Sequence, residues 1–230
     1  MLNEIRHIIS DAAVKYGWVM EPDAKAILKL AGISVPKSHW AKDIKEACEF
    51  AAKIGYPIVA KIVSPQVVHK SDVRGVIVGI DSESALAEQF VRLSKMKGFA
   101  GIVIEEIIEG LELIVGAKID YQFGPVILLG LGGTGVEIYH DVTIRMCPLS
   151  QRDAELMVKK LKASKLLEGY RGKPPVNMQE LFRMLLSFSD LVSELADEIE
   201  SIDLNPVFCS QEHCIVGDAR ILLPSRIREN

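Results

Sequence analysis

Gly130-Leu-Gly-Gly-Thr-Gly-Val-Glu-Ile-Tyr-His-Asp-Val-Thr-Ile144 is the stretch on which the fold turns. Its Gly130-x-Gly132-x-x-Gly135 spacing satisfies the dinucleotide-binding fingerprint, and it follows an apolar run, Val126 to Leu129, that reads as a strand. The fingerprint holds a pyrophosphate only when a helix starts at the glycines and presents its N-terminus. Here the residues after the glycines alternate and are rich in β-branched side chains, so Val136 to Ile144 predicts a strand. No acidic residue closes a second strand about twenty positions on, where the ribose contact belongs. The pattern therefore argues against a Rossmann domain, and no GxxxxGK[ST] marks a P-loop. Two uses remain for the glycines: a hairpin turn, or a loop whose bare backbone lies close to a ligand phosphate.

Working outward, the β-rich character runs from Gly101 through Ile102–Ile108, Leu113–Ile119, Pro125–Leu129 and Val136–Met146. Two helices follow, one after the capping box Ser150-x-x-Asp153 and one after Asn177-x-x-Glu180. Glu168 to Val176 reads as a loop, and Ile202 to Leu223 as two strands joined around Gln211-Glu212. Upstream, residues 1 to 20 form a weakly patterned helical segment, and Pro22 to Ala31 is a helix with proline in its first turn. Ser34 to His39 is extended, and a helix opens at Asp43-x-x-Glu46 and closes at Gly55. Tyr56 to Val63 and Gly75 to Ile80 are strands flanking a polar loop, and Ser82 to Lys97 is an amphipathic helix. The sum is an α+β chain with mixed α/β character. It divides into an N-terminal helical segment (1–20), a small α/β lobe (21–100) and a larger lobe (101–230).

The composition is that of an ordinary folded chain. It has 230 residues, 49% hydrophobic and 25% charged, with a formal net charge of −4. A mildly acidic chain without a basic stripe is a poor partner for nucleic acid or an anionic membrane. The most apolar stretch is too short to cross a bilayer, and the N-terminus has no signal-peptide pattern. Cys48, Cys147, Cys209 and Cys214 are scattered without a CxxC pair, as in reduced cytoplasmic thiols. A cytoplasmic protein is expected.

Four local features carry chemistry. Lys61 sits inside the apolar run Tyr56 to Val63, and a buried ammonium needs an anionic partner; the alternative is an edge strand with the lysine facing solvent. Glu105 and Glu112 flank a strand-to-strand connection, where they are either a solvated acidic turn or two acceptors for an adenine amino group and ribose hydroxyls. Asp203-x-Asn205-Pro206 and Asp218 lie on the C-terminal strands. Alternation puts Asp203 and Asn205 on one face, with Asp218 opposite, a set suited to Mg²⁺. His69 lies in the polar loop Ser64 to Gly75, where a histidine is either solvated or functional.

Together, Gly55-Tyr-Pro-Ile-Val-Ala-Lys61, His69-Lys-Ser-Asp72, Phe123-Gly-Pro125, Gly130-Leu-Gly-Gly133, Asp203-Leu-Asn-Pro206 and Asp218 resemble the ATP-grasp β subunits of ADP-forming acyl-CoA synthetases, relatives of succinyl-CoA synthetase. The resemblance implies an ATP-grasp fold of two lobes with the nucleotide in the cleft between them. It implies that Lys61 contacts nucleotide phosphates and that Glu105 accepts from the adenine amino group. The backbone of Glu106, Ile107 and Ile108 would form the hinge, and Glu112 would bind the ribose. Gly132 and Gly133 would lie near the phosphates. Asn205 and Asp218, with Asp203, would hold Mg²⁺, and His69 would be phosphorylated on a mobile loop. It further implies an acid–thiol ligase that works with an α subunit carrying the CoA site and a first phosphohistidine, in an α2β2 assembly with ADP and ATP as substrates. Two other readings share the fold: a stand-alone carboxylate–amine ligase, and a nucleotide-sensing domain of a protein acetyltransferase. Arg74 departs from the family, standing where a second glycine often precedes Gly75, and Arg145 and Arg171 take no assigned role.

Overall fold

Apolar alternation and capping place the elements close to where the sequence predicts them. The structure, a computed structural model, describes residues 1–67, 69–133 and 141–224. Helix α1 (Leu2–Tyr16) leads to a short strand β1 (Trp18–Val19), then α2 (Glu21–Leu30), β2 (Ser38–Ala41), α3 (Ile44–Ile54), β3 (Ile58–Ile62) and β4 (Val76–Ile80). Next come α4 (Glu83–Ser94), β5 (Ile102–Glu106), β6 (Leu111–Asp120), β7 (Gly124–Leu131) and β8 (Val142–Met146). The chain finishes with α5 (Gln151–Lys160), α6 (Ser164–Leu167), α7 (Met178–Glu194), β9 (Ser201–Cys209), β10 (Cys214–Val216) and β11 (Ala219–Leu222). The α5 cap is reciprocal: Ser150 accepts from the Asp153 amide while Asp153 accepts from Ser150. At α3, Asp43 accepts from the Glu46 amide, but the Glu46 carboxylate reaches past the cap to the Lys42 amide. Among the described residues, no helix is long and apolar enough to cross a membrane.

The chain divides into two units. The smaller comprises Met20–Pro22 and Pro36–Ile108, the larger Met1–Val19, Asp23–Val35 and Glu109–Asn230. This differs from a linear division at residue 100. Strand β5 pairs with both β2 and β3, which keeps residues up to Ile108 with the smaller unit. Likewise α1 contributes Ile5 and Ile9 to the core of the larger unit, so it is not a separate segment, and α2 from Asp23 onward contributes Ile27 and Leu28 to that same core rather than belonging to the small lobe.

The smaller unit is a four-stranded antiparallel sheet in the order β2-β5-β3-β4. Ile58, Ala60, Ile62, Ile102 and Ile104 form one core with Ala47 and Ala51 of α3 and Leu86 and Leu93 of α4. Alternation sends Val59, Lys61, Val103 and Glu105 to the opposite face.

The larger unit is built on a sheet in the order β1-β11-β9-β6-β7-β8, with β10 also paired to β9. Leu113, Val115, Ala117, Ile127, Leu129, Ile202 and Leu204 pack with Met157 of α5 and Leu185 and Phe188 of α7. The C-terminal region therefore holds three strands where the sequence pattern suggested two, because Gly217-Asp218 interrupts the return strand. Strand β8 starts at Val142; residues 134–140, where alternation predicted its beginning, lie outside the described residues.

Candidate functional site

In the smaller unit, β3 is an inner strand, which removes the solvent-facing alternative for Lys61. The lysine is only 6% exposed and is neutralised by two buried carboxylates. Its Nζ lies 2.5 Å from Glu105 Oε1 and 3.0 Å from Glu21 Oε1. Cross-strand register explains the first contact: Lys61 pairs with Val103, and Glu105 is the next residue on that face of β5. The second comes from the start of α2, where Glu21 is 2% exposed. The other oxygen of Glu21 lies 2.8 Å from Lys70 Nζ, one residue beyond His69. Two buried carboxylates thus face two ammonium groups, which satisfies the requirement that a buried charge be paired.

His69 itself is exposed. Its loop is held at both ends: Ser64 Oγ donates to the Lys97 carbonyl, and the Gly75 amide donates to the Lys70 carbonyl at 2.7 Å. Val68, immediately before the histidine, lies outside the described residues. Glu106 is tied to Lys37, accepting from its amide at 2.9 Å while donating its own amide to the Lys37 carbonyl. Ile107 and Ile108 lie past the end of β5, outside its ladder, and the boundary between the units falls directly after them.

In the larger unit the outer face of the sheet gathers a second set. Leu113 is buried in the core, so Glu112 points the other way and is exposed. Leu204 is likewise buried, which puts Asp203 and Asn205 on that same outer face. The register of β6 against β9 slips between Leu113/Val207 and Val115/Leu204, so β9 carries an extra residue at Asn205-Pro206. Such bulges re-aim a side chain locally. The Asn205 amide donates to the Asp218 carbonyl at 3.2 Å, which brings these two residues side by side. Asp203 lies across from Arg220, with Oδ2 3.4 Å from the guanidinium.

Gly132 and Gly133 close the set. The Gly132 amide donates to the Glu112 carbonyl at 2.7 Å, and a Cβ at position 132 would stand 2.8 Å from the Glu112 backbone. That glycine is required by strand-on-strand approach rather than by a helix N-terminus. Both glycines and Glu112 border a cavity of about 610 Å³ that Lys173, Cys209 and Ser210 also line. Among the described residues, no three His, Cys, Asp or Glu side chains gather into a metal-binding group. Asn205 beside Asp218, with Asp203 on the same face, is nonetheless a hard-oxygen set of the kind Mg²⁺ accepts together with water and phosphate oxygens.

The structure thus brings Lys61 and Glu105 together in one unit, and Glu112, Gly132 and Gly133 in the other, where Asn205 and Asp218 are also adjacent. Glu105 and Glu112, seven positions apart, belong to different units. Sequence reasoning missed Glu21 and Lys70. Burial of Lys61 implied an acidic partner, but nothing in the sequence singled out a glutamate forty positions away. Among the described residues, Arg145 donates to its neighbour's carbonyl and lies near the Asp153 carboxylate, and Arg171 lies over the Tyr170 ring, contacts that assign neither a functional role.

The ATP-grasp domain family matches residues 12–223. The chain is 40% identical over 226 residues to the β subunit of acetate–CoA ligase [ADP-forming] I of Pyrococcus furiosus, covering 95% of this chain and 97% of that one. A crystal structure from Pyrococcus horikoshii is similar with a TM-score of 0.92 at 36% identity, covering 97% of this chain and 99% of that one. Acetyl-coenzyme A synthetase 1 of Ca. Korarchaeum cryptofilum, solved with coenzyme A and Mg-AMPPCP, has its phosphohistidine segment pointing towards the nucleotide binding site. It is 40% identical, with a TM-score of 0.80 over 90% of this chain and 93% of that one.

Proposed function

The chain belongs to the ATP-grasp family, and from that premise we propose that it is the nucleotide-binding β subunit of an ADP-forming acyl-CoA synthetase. The net reaction is acyl-CoA + ADP + phosphate ⇌ carboxylic acid + CoA + ATP. The observation that carries the reading is the buried cluster of Lys61, Glu105 and Glu21, which also holds Lys70, the residue beside His69. A free lysine in this setting would be expelled or neutralised; one held by carboxylates can be handed to an incoming phosphate without a new desolvation cost.

Each residue then has a task. The His69 imidazole attacks the phosphoryl group held on a histidine of the α subunit, one N–P bond forming as the other breaks, and later passes it to ADP; the N–P bond then breaks as an O–P bond forms to the terminal phosphate of ADP. Lys61 offsets charge on the transferring phosphoryl, where catalysis is mainly positioning and electrostatics. Glu105 accepts from the adenine amino group and Glu112 from the ribose, while the backbone of Glu106, Ile107 and Ile108 borders the base. Gly132 and Gly133 leave room for the phosphates. Asn205 and Asp218, with Asp203, would hold Mg²⁺, which when bound screens the negative charge of the nucleotide phosphates. Thioester chemistry belongs to the α subunit, in an α2β2 complex.

The test is reconstitution. The chain with its α subunit should form ATP from acetyl-CoA, ADP and phosphate, and should carry acid-labile phosphate on His69. The chain alone should form none. Full turnover by a His69→Ala complex would overturn the relay, and ATP formation by the isolated chain would overturn the division of labour.

A further inference from the structure

Glu21 is placed where it touches both halves of the proposed relay. Its carboxylate is buried, and its two oxygens are divided: Oε1 meets Lys61 at 3.0 Å and Oε2 meets Lys70 at 2.8 Å. Lys70 is the residue after His69, and its carbonyl also accepts from Gly75 at the far end of the loop. The backbone at Glu21 is constrained on both sides, by β1 ending at Val19 and by Pro22 in the first turn of α2. A carboxylate so fixed is a post shared by two ammonium groups.

We propose that Glu21 is a positioning residue that links the phosphate-binding lysine, Lys61, to the segment carrying His69. The inference rests on the β-subunit reading given above and extends it. One carboxylate shared by two cations divides its attraction between them. When a nucleotide phosphate draws on Lys61, the hold of Glu21 on Lys70 strengthens, and the segment beside His69 is steadied. Arrival of nucleotide is thereby registered one residue from the phosphorylated histidine, without contact between nucleotide and loop backbone.

The experiment uses the reconstituted complex and separates the two half-reactions. Phosphohistidine is first formed from acetyl-CoA and phosphate without nucleotide, and its discharge by ADP is then timed. Glu21→Gln keeps the size and removes the charge. Discharge by ADP should slow about a hundredfold, the usual consequence of a misplaced reacting group, and the KM for ADP should rise, while filling stays near the wild-type rate. Lys70→Met severs only the loop arm; it should slow discharge but leave ADP affinity unchanged, because Lys61 keeps its carboxylates. Glu21→Asp, which retains the charge at shorter reach, should recover part of the discharge rate. If filling and discharge fall together in Glu21→Gln, in step with a lowered Tm, Glu21 is merely structural and the inference is overturned. Should Glu21→Gln fail to fold, wild-type discharge by Lys70→Met overturns it equally. A wild-type complex that forms no phosphohistidine overturns the functional reading and this inference with it, whereas a working relay indifferent to Glu21→Gln overturns this inference alone.

Discussion

Arg74 shows how a single backbone angle can be read from a sequence departure. The family resemblance put a glycine where this chain has arginine, and the structure places Arg74 at φ 53, in the left-handed region. A side chain there costs about 1–2 kcal/mol relative to right-handed backbone, since Cβ crowds the following carbonyl. The position is kept because its neighbours fix it: the Arg74 amide donates to Ser71, and its carbonyl accepts from the Arg92 guanidinium at 3.0 Å. Next to it, Gly75 is obligatory, since a Cβ would stand 2.6 Å from Ile62 Cγ2. Arg74→Gly relieves the angle and keeps the Arg92 bond, which goes to the backbone. Against that gain stands about 0.5–1 kcal/mol of extra chain entropy in the unfolded state. The variant should be more stable by up to about 1.5 kcal/mol, read as a raised urea midpoint at unchanged slope. A lowered midpoint would show that the arginine side chain contributes more than its backbone strain removes.

At the scale of elements, two strand pairings make predictions. The end of β7 lies so close to β6 that Gly132→Ala must push against the Glu112 backbone, an overpacking that costs typically about 1–3 kcal/mol. Glu112 would be displaced with it. Raised KM for ADP alongside a lowered Tm is the expected pair of results, and an unchanged KM would separate these glycines from the nucleotide site. The second pairing is Cys209 with Cys214, direct partners across β9 and β10. The Ser210 amide donates to the His213 carbonyl at the turn, so the next pair inward is a non-hydrogen-bonded one, whose Cα atoms approach to about 4.5 Å. That is disulfide range. The proximity of the Cys214 sulfur, followed by burial, raises the Cys209 pKa far above the ordinary thiol value. A dithiol oxidant should convert these two cysteines to an intrachain disulfide seen by peptide mapping; recovery of both as free thiols would refute it. Neither pairing could be read from the sequence. Scattered spacing concealed the cysteines because turn length, not separation, decides which residues face each other. Helix caps were legible for the opposite reason, being local: Ser150, Asn177 and Asp43 all accept the expected amide.

For the whole molecule, the mixed helix–strand fold was legible because periodicity and capping survive in short windows, and the ATP-grasp match accords with rejecting the dinucleotide fingerprint, while residues 134–140 lie outside the described ones. The division into units was not. It depends on which strands pair, and β5 joins β2 and β3 across long stretches of chain. Part of the candidate site shared that fate: Lys61 announced itself as a charge in an apolar run, whereas Glu21 looked like any acidic residue at a helix start. The route of the chain gives that glutamate a further consequence. The backbone passes from one unit to the other after residues 19, 22, 35 and 108, and the visit at 20–22 is only long enough to deliver Glu21. Excised as a continuous cassette, 36–108 would carry both lysines and Glu105 but leave their shared acid, Glu21, behind. Shuffling of this module between proteins is therefore constrained: the smaller unit travels intact only with the leading segment that precedes it.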